Sequence, residues 1–198
     1  MTYTHTHSHD HDMSHHNHDT LVDGLIDQYQ VDYITNHSGF LNDGEIDVYV
    51  DPSLHPKVKD FTERLVRRVN EVTETDIILN NNKSESDVLL HEVENYNDRP
   101  GFEEALGLQY WENGKSNATW TEEVGEPSYN RKGKARVSRF TKYVISHEFF
   151  HSLGLAHPFG LGAHPKFNSD DTVMSYNPGN LGGFKGYPMT HNDLEALA

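Results

Sequence analysis

Two histidines and a glutamate on one predicted helix have the residue types and the spacing to bind and use a metal ion. His147 and His151 are four residues apart. Residues at this spacing lie one above the other on the same face of an α-helix, so both imidazoles can reach one ion. Glu148 directly follows the first histidine, and its carboxylate can reach a water on that ion. These residues predict a metal site with a base beside it.

A third histidine, His157, cannot join the other two if the helix continues. It would lie about 15 Å along the axis from His147 and on another face. Gly154 suits a reversal of the chain between them, because glycine adopts the left-handed conformation that commonly ends helices. Three neutral imidazoles with an open fourth position are typical of a catalytic zinc site and not of a closed structural one. We therefore expect one catalytic Zn²⁺ ion.

The whole pattern, HExxHxxGxxH, resembles that of the metzincin family of zinc metallopeptidases, and a second element supports the resemblance. Met174 follows His157 by seventeen residues, within the run Val173-Met174-Ser175-Tyr176. Metzincins carry a tight methionine turn under the zinc ion, and Met174 is similar to that methionine. The Met-Ser-Tyr form is closest to the serralysin branch. In that branch the tyrosine binds zinc or hydrogen-bonds the reacting oxyanion, and the resemblance gives Tyr176 this role.

The resemblance covers roughly residues 138–198 at the level of motifs. The tail 188–197 is similar to the start of the serralysin C-terminal helix. The chain lacks the glycine- and aspartate-rich calcium-binding repeats of the serralysins, and its segment between the third histidine and the methionine is shorter. Zinc is the implied cofactor. Calcium is compatible with the negative charge of the chain, but no motif supports a calcium site.

The resemblance implies a zinc-dependent endopeptidase that hydrolyses peptide bonds of protein or peptide substrates. Glu148 would be the general base. Tyr176 would help to hold the oxyanion. Gly154 and Met174 would support the site. An extended substrate would add to an edge strand above the zinc helix, and one of the strands between 106 and 124 would be that edge.

Composition excludes several other classes of protein. The length of 198 residues suits one domain, or one domain with an appendage. Without cysteine, the chain has no disulfides and no thiolate metal ligands. A formal net charge of −15 argues against nucleic-acid binding, and no stretch approaches the roughly 20 apolar residues of a membrane span. No Sec-type signal peptide is expected in residues 1–20, and we expect an extracellular protein or a component of a secreted or virion assembly.

Three segments are predicted along the chain. Residues 1–19 form a low-complexity arm rich in histidine and aspartate. This arm either binds metal weakly or is a solvated tail, and an assembly partner would be needed to order it. Residues 20–43 form an N-terminal extension without an assigned function. Residues 44–198 form the metzincin-like catalytic domain, with an N-terminal subdomain (44–154) and a C-terminal subdomain (155–198).

Periodicity predicts an α+β, metzincin-like fold with a mixed twisted sheet, two long helices and a small irregular C-terminal subdomain. One long helix covers 57–73, where apolar residues recur at helical spacing, and Ser138 is the predicted N-cap of the other, the helix with the metal motif. Thr190 and Asp193 predict a cap that resembles a capping box before a short closing helix. Strands are predicted at Glu45–Val50, at 87–93, and near 106–111 and 117–124 around Gly114.

Two other functions remain open from the sequence. One is a structural or adhesive component on a metzincin scaffold, within a secretion or virion assembly, with proteolysis secondary or absent. The other is a metal-storage or metal-sensing protein, which the histidine-rich arm would favour. Metal stoichiometry separates the readings, because a protease holds one tight zinc ion and a storage protein holds several weaker ones.

Overall fold

The protein is described by a computed structural model that covers most of its length. The described residues are 20–26, 31, 44–73, 76–180 and 186–197. The histidine-rich arm of residues 1–19 lies outside them, and so do the metal-binding and assembly roles considered for it. Most of the predicted extension 20–43 also lies outside the described residues.

A mixed five-stranded sheet forms the centre of the described fold, in the order β2-β1-β3-β5-β4. The strands are β1 (Glu45–Val50), β2 (Asp76–Leu79), β3 (Val88–Val93), β4 (Gly107–Glu112) and β5 (Lys115–Thr121). β1 pairs in parallel with β2 and β3, and β3 pairs in parallel with β5. Only β4 is antiparallel to its neighbour, and it lies at one edge of the sheet. The prediction of an α+β fold with a mixed sheet is confirmed.

Five α-helices lie within the described residues, and two of them are long, as predicted. They are α1 (Leu21–Gly24), α2 (Pro56–Asn70), α3 (Glu122–Gly125), α4 (Arg139–Ser152) and α5 (His191–Leu197). None of the described helices is long and apolar enough to cross a membrane. A small separate hairpin of β6 (Ser128–Tyr129) and β7 (Ala135–Arg136) precedes α4.

The two long helices pack on one side of the sheet and touch each other. α2 lies against β1 and β2, and α4 lies against β4 and β5. α2 buries an apolar stripe that includes Val58, Phe61 and Leu65. The apolar residues of this stripe recur at the helical spacing from which the helix was predicted. The side chain of Trp120 on β5 is fully buried, and β5 packs against α4 and α3. This packing fixes α4, the helix with the metal motif, under the edge strand β4.

The strand boundaries after residue 106 differ from the prediction. Asn113 and Gly114 both have positive φ (52° and 76°), which is typical of a two-residue hairpin turn. Pairing therefore begins at Glu112 and Lys115, and β5 starts two residues earlier than predicted. The strand does not run on to residue 124, because residues 122–125 form the short helix α3. Thr141 of α4 donates a hydrogen bond to the Val124 carbonyl and fastens this helix to α4.

Candidate metal centre and cleft

The helix α4 begins at a capped end and stops where the chain must reverse. The Ser138 hydroxyl accepts a hydrogen bond from the Thr141 N–H at 2.9 Å, so the predicted N-cap is confirmed. The helix ends at Ser152. Two residues later, Gly154 has a φ of 97°, in the left-handed region expected for it. The chain turns there and returns His157 to the face that carries His147.

The reversal brings the three predicted histidines into one cluster. The Nε2 atom of His151 lies 3.1 Å from that of His147 and 3.3 Å from that of His157. The Nε2 atoms of His147 and His157 are also 3.3 Å apart. This is the group of side chains among the described residues that could hold a metal ion. The approach of His157 depends on the turn and not on helical periodicity.

Backbone carbonyls hold two of the imidazole rings in one tautomer. The Nδ1 atom of His147 lies 2.8 Å from the Val173 carbonyl oxygen, and that of His151 lies 2.8 Å from the Leu155 carbonyl oxygen. A carbonyl oxygen only accepts hydrogen bonds, so each Nδ1 carries the proton and donates it. In a neutral ring, the Nε2 atom then presents a lone pair. This is the arrangement by which proteins orient metal-binding histidines.

The converging nitrogens fit a small tetrahedral cation. Two lone pairs that face each other at 3.1 Å repel, unless a cation lies between them. A metal ion with bonds of about 2.0–2.1 Å to nitrogen has tetrahedral edges of about 3.3–3.4 Å. The observed separations of 3.1–3.3 Å are close to this value. The three histidines therefore fit a zinc-sized ion as they stand.

Burial keeps the three imidazoles neutral at ordinary pH. It lowers the pKa of His147 to about 3. It also lowers the pKa of His151 well below the usual range, and the neighbouring His147 and His157 add to that effect. The pKa of His157 is lowered by burial as well. Neutral imidazole is the form that binds metal, so no proton has to be displaced near pH 7.

Glu148 lies beside the cluster and is held by the edge strand. Its side chain is only 7% exposed. Burial raises the pKa of its carboxyl to about 8, and a hydrogen bond from the Gln109 backbone N–H opposes that rise. A methyl group added at Gly107 would lie 2.6 Å from the Glu148 Oε1 atom and 2.7 Å from the Val144 Cγ1 atom. The strand β4 thus passes directly over the carboxylate, and only glycine leaves room for it.

The outer edge of β4 faces the cleft. Alternate residues of an antiparallel strand direct their backbone groups at the partner strand. The Thr121 N–H donates to the Leu106 carbonyl at 3.1 Å, so Gly107 and Gln109 direct their groups away from β5. The hydrogen bond from Gln109 to Glu148 uses one of these outward N–H groups. The remaining groups of these two residues lie where an added strand could pair.

Met174 lies in a tight turn next to the cluster of three histidines. The Ser175 N–H donates to the Thr172 carbonyl at 3.3 Å, which closes the turn, and the Met174 side chain is fully buried. The Val173 carbonyl of this turn accepts the hydrogen bond from His147. The Tyr143 hydroxyl of α4 donates to the Ser175 carbonyl and ties the turn to the helix. The turn therefore positions the His147 ring through its backbone.

Asp193 of α5 braces the same turn from below. This fully buried carboxylate accepts a hydrogen bond from the Val173 N–H at 3.0 Å and another from the Thr172 hydroxyl. It also accepts from the Thr190 N–H at 2.7 Å, and the Thr190 hydroxyl accepts from the Asp193 N–H, which is the predicted box-like cap. Burial raises the pKa of Asp193, and these hydrogen bonds oppose the rise.

Tyr176 lies over the cluster at the surface of the cleft. Its ring is 59% exposed, and its centroid is 4.5 Å from that of His157 and 5.3 Å from that of His147. The Tyr176 N–H donates to the Gly162 carbonyl, and a methyl group added at Gly162 would lie 2.3 Å from two ring carbons. Burial raises the pKa of the Tyr176 hydroxyl, and the nearby Glu148 adds to the rise. The hydroxyl is therefore protonated near pH 7 and can donate a hydrogen bond.

Residues 20–26 support the segment that returns His157 to the cluster. Ile26 forms an antiparallel bridge with Leu155, and the Ala156 N–H donates to the Leu25 carbonyl at 2.8 Å. The Leu25 side chain is fully buried. Because the Leu155 carbonyl also orients His151, this short piece of the predicted extension braces two of the three histidines.

Two cavities flank the cluster beneath β4. The first has a volume of about 400 Å³, and its lining includes His151, His157 and Gln109. The second has a volume of about 450 Å³, and its lining includes Leu106, Val144 and Tyr143. Glu148 and Tyr176 border both cavities. Large apolar side chains that line these cavities are exposed: Phe102, Leu106 and Phe140. An exposed apolar rim of this kind is typical of a surface that binds another molecule.

Several residues that hold the site were not singled out from the sequence. Tyr143 precedes His147 by four residues, so helical spacing already placed it on the same face. Asp193 was noted only as part of a helix cap. The supporting contacts of Leu25 and Gln109 are made by the backbone, and no residue type signals them.

In sequence, the chain matches no protein-family model and no curated protein. The resemblance to the metzincins therefore rests on the residues of the site and on their arrangement.

Proposed function

We propose that this protein is a zinc-dependent endopeptidase of the metzincin type. One observation carries the proposal: three neutral imidazoles converge at 3.1–3.3 Å beside a buried glutamate, under a strand edge that is open to a cleft. A storage site has no use for the glutamate, the cleft or the strand edge. These three features together favour a hydrolase that acts on extended polypeptides.

His147, His151 and His157 would hold the ion. A zinc ion so bound supplies a Lewis acid and a water with a pKa near 7. The positive charge of the bound ion would lower the pKa of Glu148 from the value that burial sets and favour the ionised carboxylate, so that Glu148 accepts the proton of the attacking water and returns it to the amine of the leaving fragment. The Gln109 N–H keeps the Glu148 carboxylate pointed into the cleft during this transfer.

The Tyr176 hydroxyl stabilises the negative charge that develops on the carbonyl oxygen of the substrate. Its hydroxyl is protonated near pH 7, and its ring is held against His147 and His157. A donor that is already in place when charge develops needs little reorganisation in the transition state. The Gly162 carbonyl, which accepts from the Tyr176 N–H, keeps the backbone of this residue in position.

The substrate binds as an added strand on the outer edge of β4. The outward N–H and carbonyl groups of Gly107 and the outward carbonyl of Gln109 supply the pairing, which does not depend on sequence. Substrate side chains that point toward α4 enter the cavities on either side of Glu148. The cavity lined by Leu106 and Val144 accepts an apolar side chain, because its walls are largely apolar.

Cleavage of an unfolded protein in ¹⁸O-labelled water tests the proposal. The zinc-loaded chain is expected to create new termini, and each new carboxyl end carries one ¹⁸O atom by mass spectrometry. The His151→Ala variant removes one metal ligand and serves as the control, which should give no new termini. Intact substrate after prolonged incubation with the zinc-loaded wild-type chain would refute the proposed activity.

A further inference from the structure

The hairpin of β6 and β7 and the first turn of α4 form a strongly basic surface on an acidic protein. Six of the sixteen lysines and arginines of the chain fall within residues 131–142. No aspartate or glutamate occurs between Glu126 and Glu148. We call this stretch the basic segment, and its charged residues are Arg131, Lys132, Lys134, Arg136, Arg139 and Lys142. Such a concentration of charge stands out in a chain with a net charge of −15.

The charges of the basic segment are not neutralised by carboxylates of the described fold. Five of its six basic side chains are exposed, all except that of Lys142. The ion pairs among the described residues all lie elsewhere, on α2 and α5. Partial burial lowers the pKa of Lys142, and the positive charges of Arg64 and Arg139 lower it further. The nearest acidic residues along the chain precede the hairpin, on α3 and just after it.

The basic segment runs directly into the apolar cavity of the cleft. Phe140 is 47% exposed and lines the 450 Å³ cavity together with Val144 and Glu148. Arg139 precedes it, and Arg136 is four residues away, which is at most about 14 Å of extended chain. An extended substrate advances about 3.3 Å per residue. Side chains about two to four residues beyond the cavity therefore come within reach of these positive charges.

We propose that the basic segment binds acidic residues of the polypeptide substrate, so that the protein selects acidic segments next to an apolar residue. The inference rests on the proposed function, since it assigns a substrate class to the same cleft. The apolar side chain occupies the cavity beside Glu148, and carboxylates further along the substrate pair with arginine and lysine side chains of the hairpin. Glu104 on the cavity wall is exposed, so it disfavours a carboxylate within the cavity itself.

An acidic polypeptide fits this surface better than a nucleic acid does. The adjoining cavity is largely apolar, so it suits an amino-acid side chain better than a phosphate group. The net charge of −15 already includes the six positive charges of the basic segment, so the remainder of the molecule is more negative still and repels a long polyanion, whereas a short acidic segment meets only the hairpin.

Binding of matched peptides tests the inference separately from catalysis. Labelled peptides that contain one leucine, followed or preceded by three glutamates or by three glutamines, are titrated into zinc-loaded Glu148→Gln protein. That variant should not cleave them during the fluorescence-anisotropy measurement. The glutamate peptide in the productive orientation is expected to bind about tenfold more tightly at low salt, as the product of three exposed charge pairs. Screening should reduce this ratio to about twofold at high salt.

A charge-matched pair of variants identifies the surface responsible. In the triple variant Lys134→Gln, Arg136→Gln, Arg139→Gln the preference for glutamate should disappear, and an unchanged preference would overturn the inference. The control variant Lys57→Gln, Lys83→Gln, Lys166→Gln loses the same charge at exposed sites elsewhere and should keep it. Equal loss in both variants, or no preference in the parent protein, would overturn the inference. Tighter binding of a single-stranded oligonucleotide of equal charge would overturn it in favour of nucleic acid.

Cleavage assays on the same peptides separate the two proposals. If the wild-type protein binds the glutamate peptide with the expected preference but cuts no peptide, the proposed activity fails and the docking surface stands. If it cuts both peptides at equal rates and binds them equally, the docking surface fails and the activity stands.

Discussion

Glu148 is the residue on which the proposed chemistry depends most. Its carboxylate is buried and accepts a hydrogen bond from the Gln109 N–H. Glu148→Gln keeps the size of the side chain and an oxygen for that hydrogen bond, but removes the base. We expect the variant to keep its zinc and to lose about 10²- to 10⁴-fold in kcat/KM, the usual contribution of a general base. Peptide hydrolysis and zinc content, measured on the same sample, check both parts.

An exposed glutamate on the neighbouring helix α3 provides the control. Glu123→Gln makes the same chemical change away from the cleft and should leave the rate unchanged. If Glu148→Gln cleaved within threefold of the wild-type rate, Glu148 would not be the base.

Tyr176 is held by its ring and by its backbone, so its hydroxyl can be removed without disturbing the site. Tyr176→Phe keeps the contacts with His147 and His157, which involve the ring alone. Loss of an oxyanion donor lowers kcat by about 10- to 1000-fold, with little change in KM. Steady-state kinetics on one peptide gives both constants. An unchanged kcat would assign the Tyr176 side chain to packing against the histidines.

At the scale of elements, the contact between α5 and the turn at 172–175 decides whether His147 is well placed. Asp193→Ala would leave the buried Val173 N–H and Thr172 hydroxyl without their acceptor. Each unsatisfied buried group costs about 1–3 kcal/mol, so we expect a loss of roughly 2–6 kcal/mol in the free energy of unfolding. Chemical denaturation with and without zinc measures it.

The matched control for this change is an aspartate that makes only an exposed contact. Asp60 pairs with Arg64 on the surface of α2. Asp60→Ala should cost less than about 1 kcal/mol, since exposed ion pairs contribute little. Equal losses in the two variants would mean that Asp193 does not brace the turn.

The elements themselves were largely predictable from local patterns. The apolar spacing over 57–73 predicted α2, the alternation at Glu45–Val50 predicted β1, and Ser138 predicted the start of α4. The ends of the elements were predicted less accurately. The helix α2 stops at Asn70, three residues before the predicted end, and α3 replaces the end of a predicted strand. These ends depend on tertiary contacts such as the hydrogen bond from Thr141 to Val124, which no local pattern reports.

In the candidate site, too, some features were predictable from the sequence and others were not. Spacing and one glycine were enough to predict that His147, His151 and His157 come together. The supports of the site are non-local hydrogen bonds: Asp193 lies twenty residues from Val173, and Leu25 lies more than one hundred residues from Ala156. Most of these contacts involve a backbone group, and the residue type at such a position carries little information.

At the scale of the whole molecule, the candidate metal site joins parts of the chain that are distant in sequence. Residues 20–26, α4, the turn at 172–175 and α5 all meet around the three histidines. An ion that binds only the folded chain stabilises it by about 4 kcal/mol at a concentration 1,000 times its Kd. We therefore expect chelation to lower Tm by about 8–16 °C, since 1 kcal/mol shifts Tm by about 2–4 °C at this size.

Two variants locate this stabilisation on the molecule. His157→Ala should abolish the effect of the chelator on Tm, whereas His191→Ala, at an exposed position outside the cluster, should preserve it. A chelator effect that persists in His157→Ala and vanishes on deletion of residues 1–19 would move the metal to the histidine-rich arm.

Activity as a function of added zinc tests the central claim most directly. The metal-free chain is titrated with zinc while hydrolysis of an unfolded protein is followed. We predict a rate that rises linearly to one zinc ion per chain and then levels off, with the same endpoint after deletion of residues 1–19. Absence of hydrolysis at every ratio, or a rate that does not respond to removal and return of zinc, would contradict a zinc peptidase centred on His147, His151 and His157.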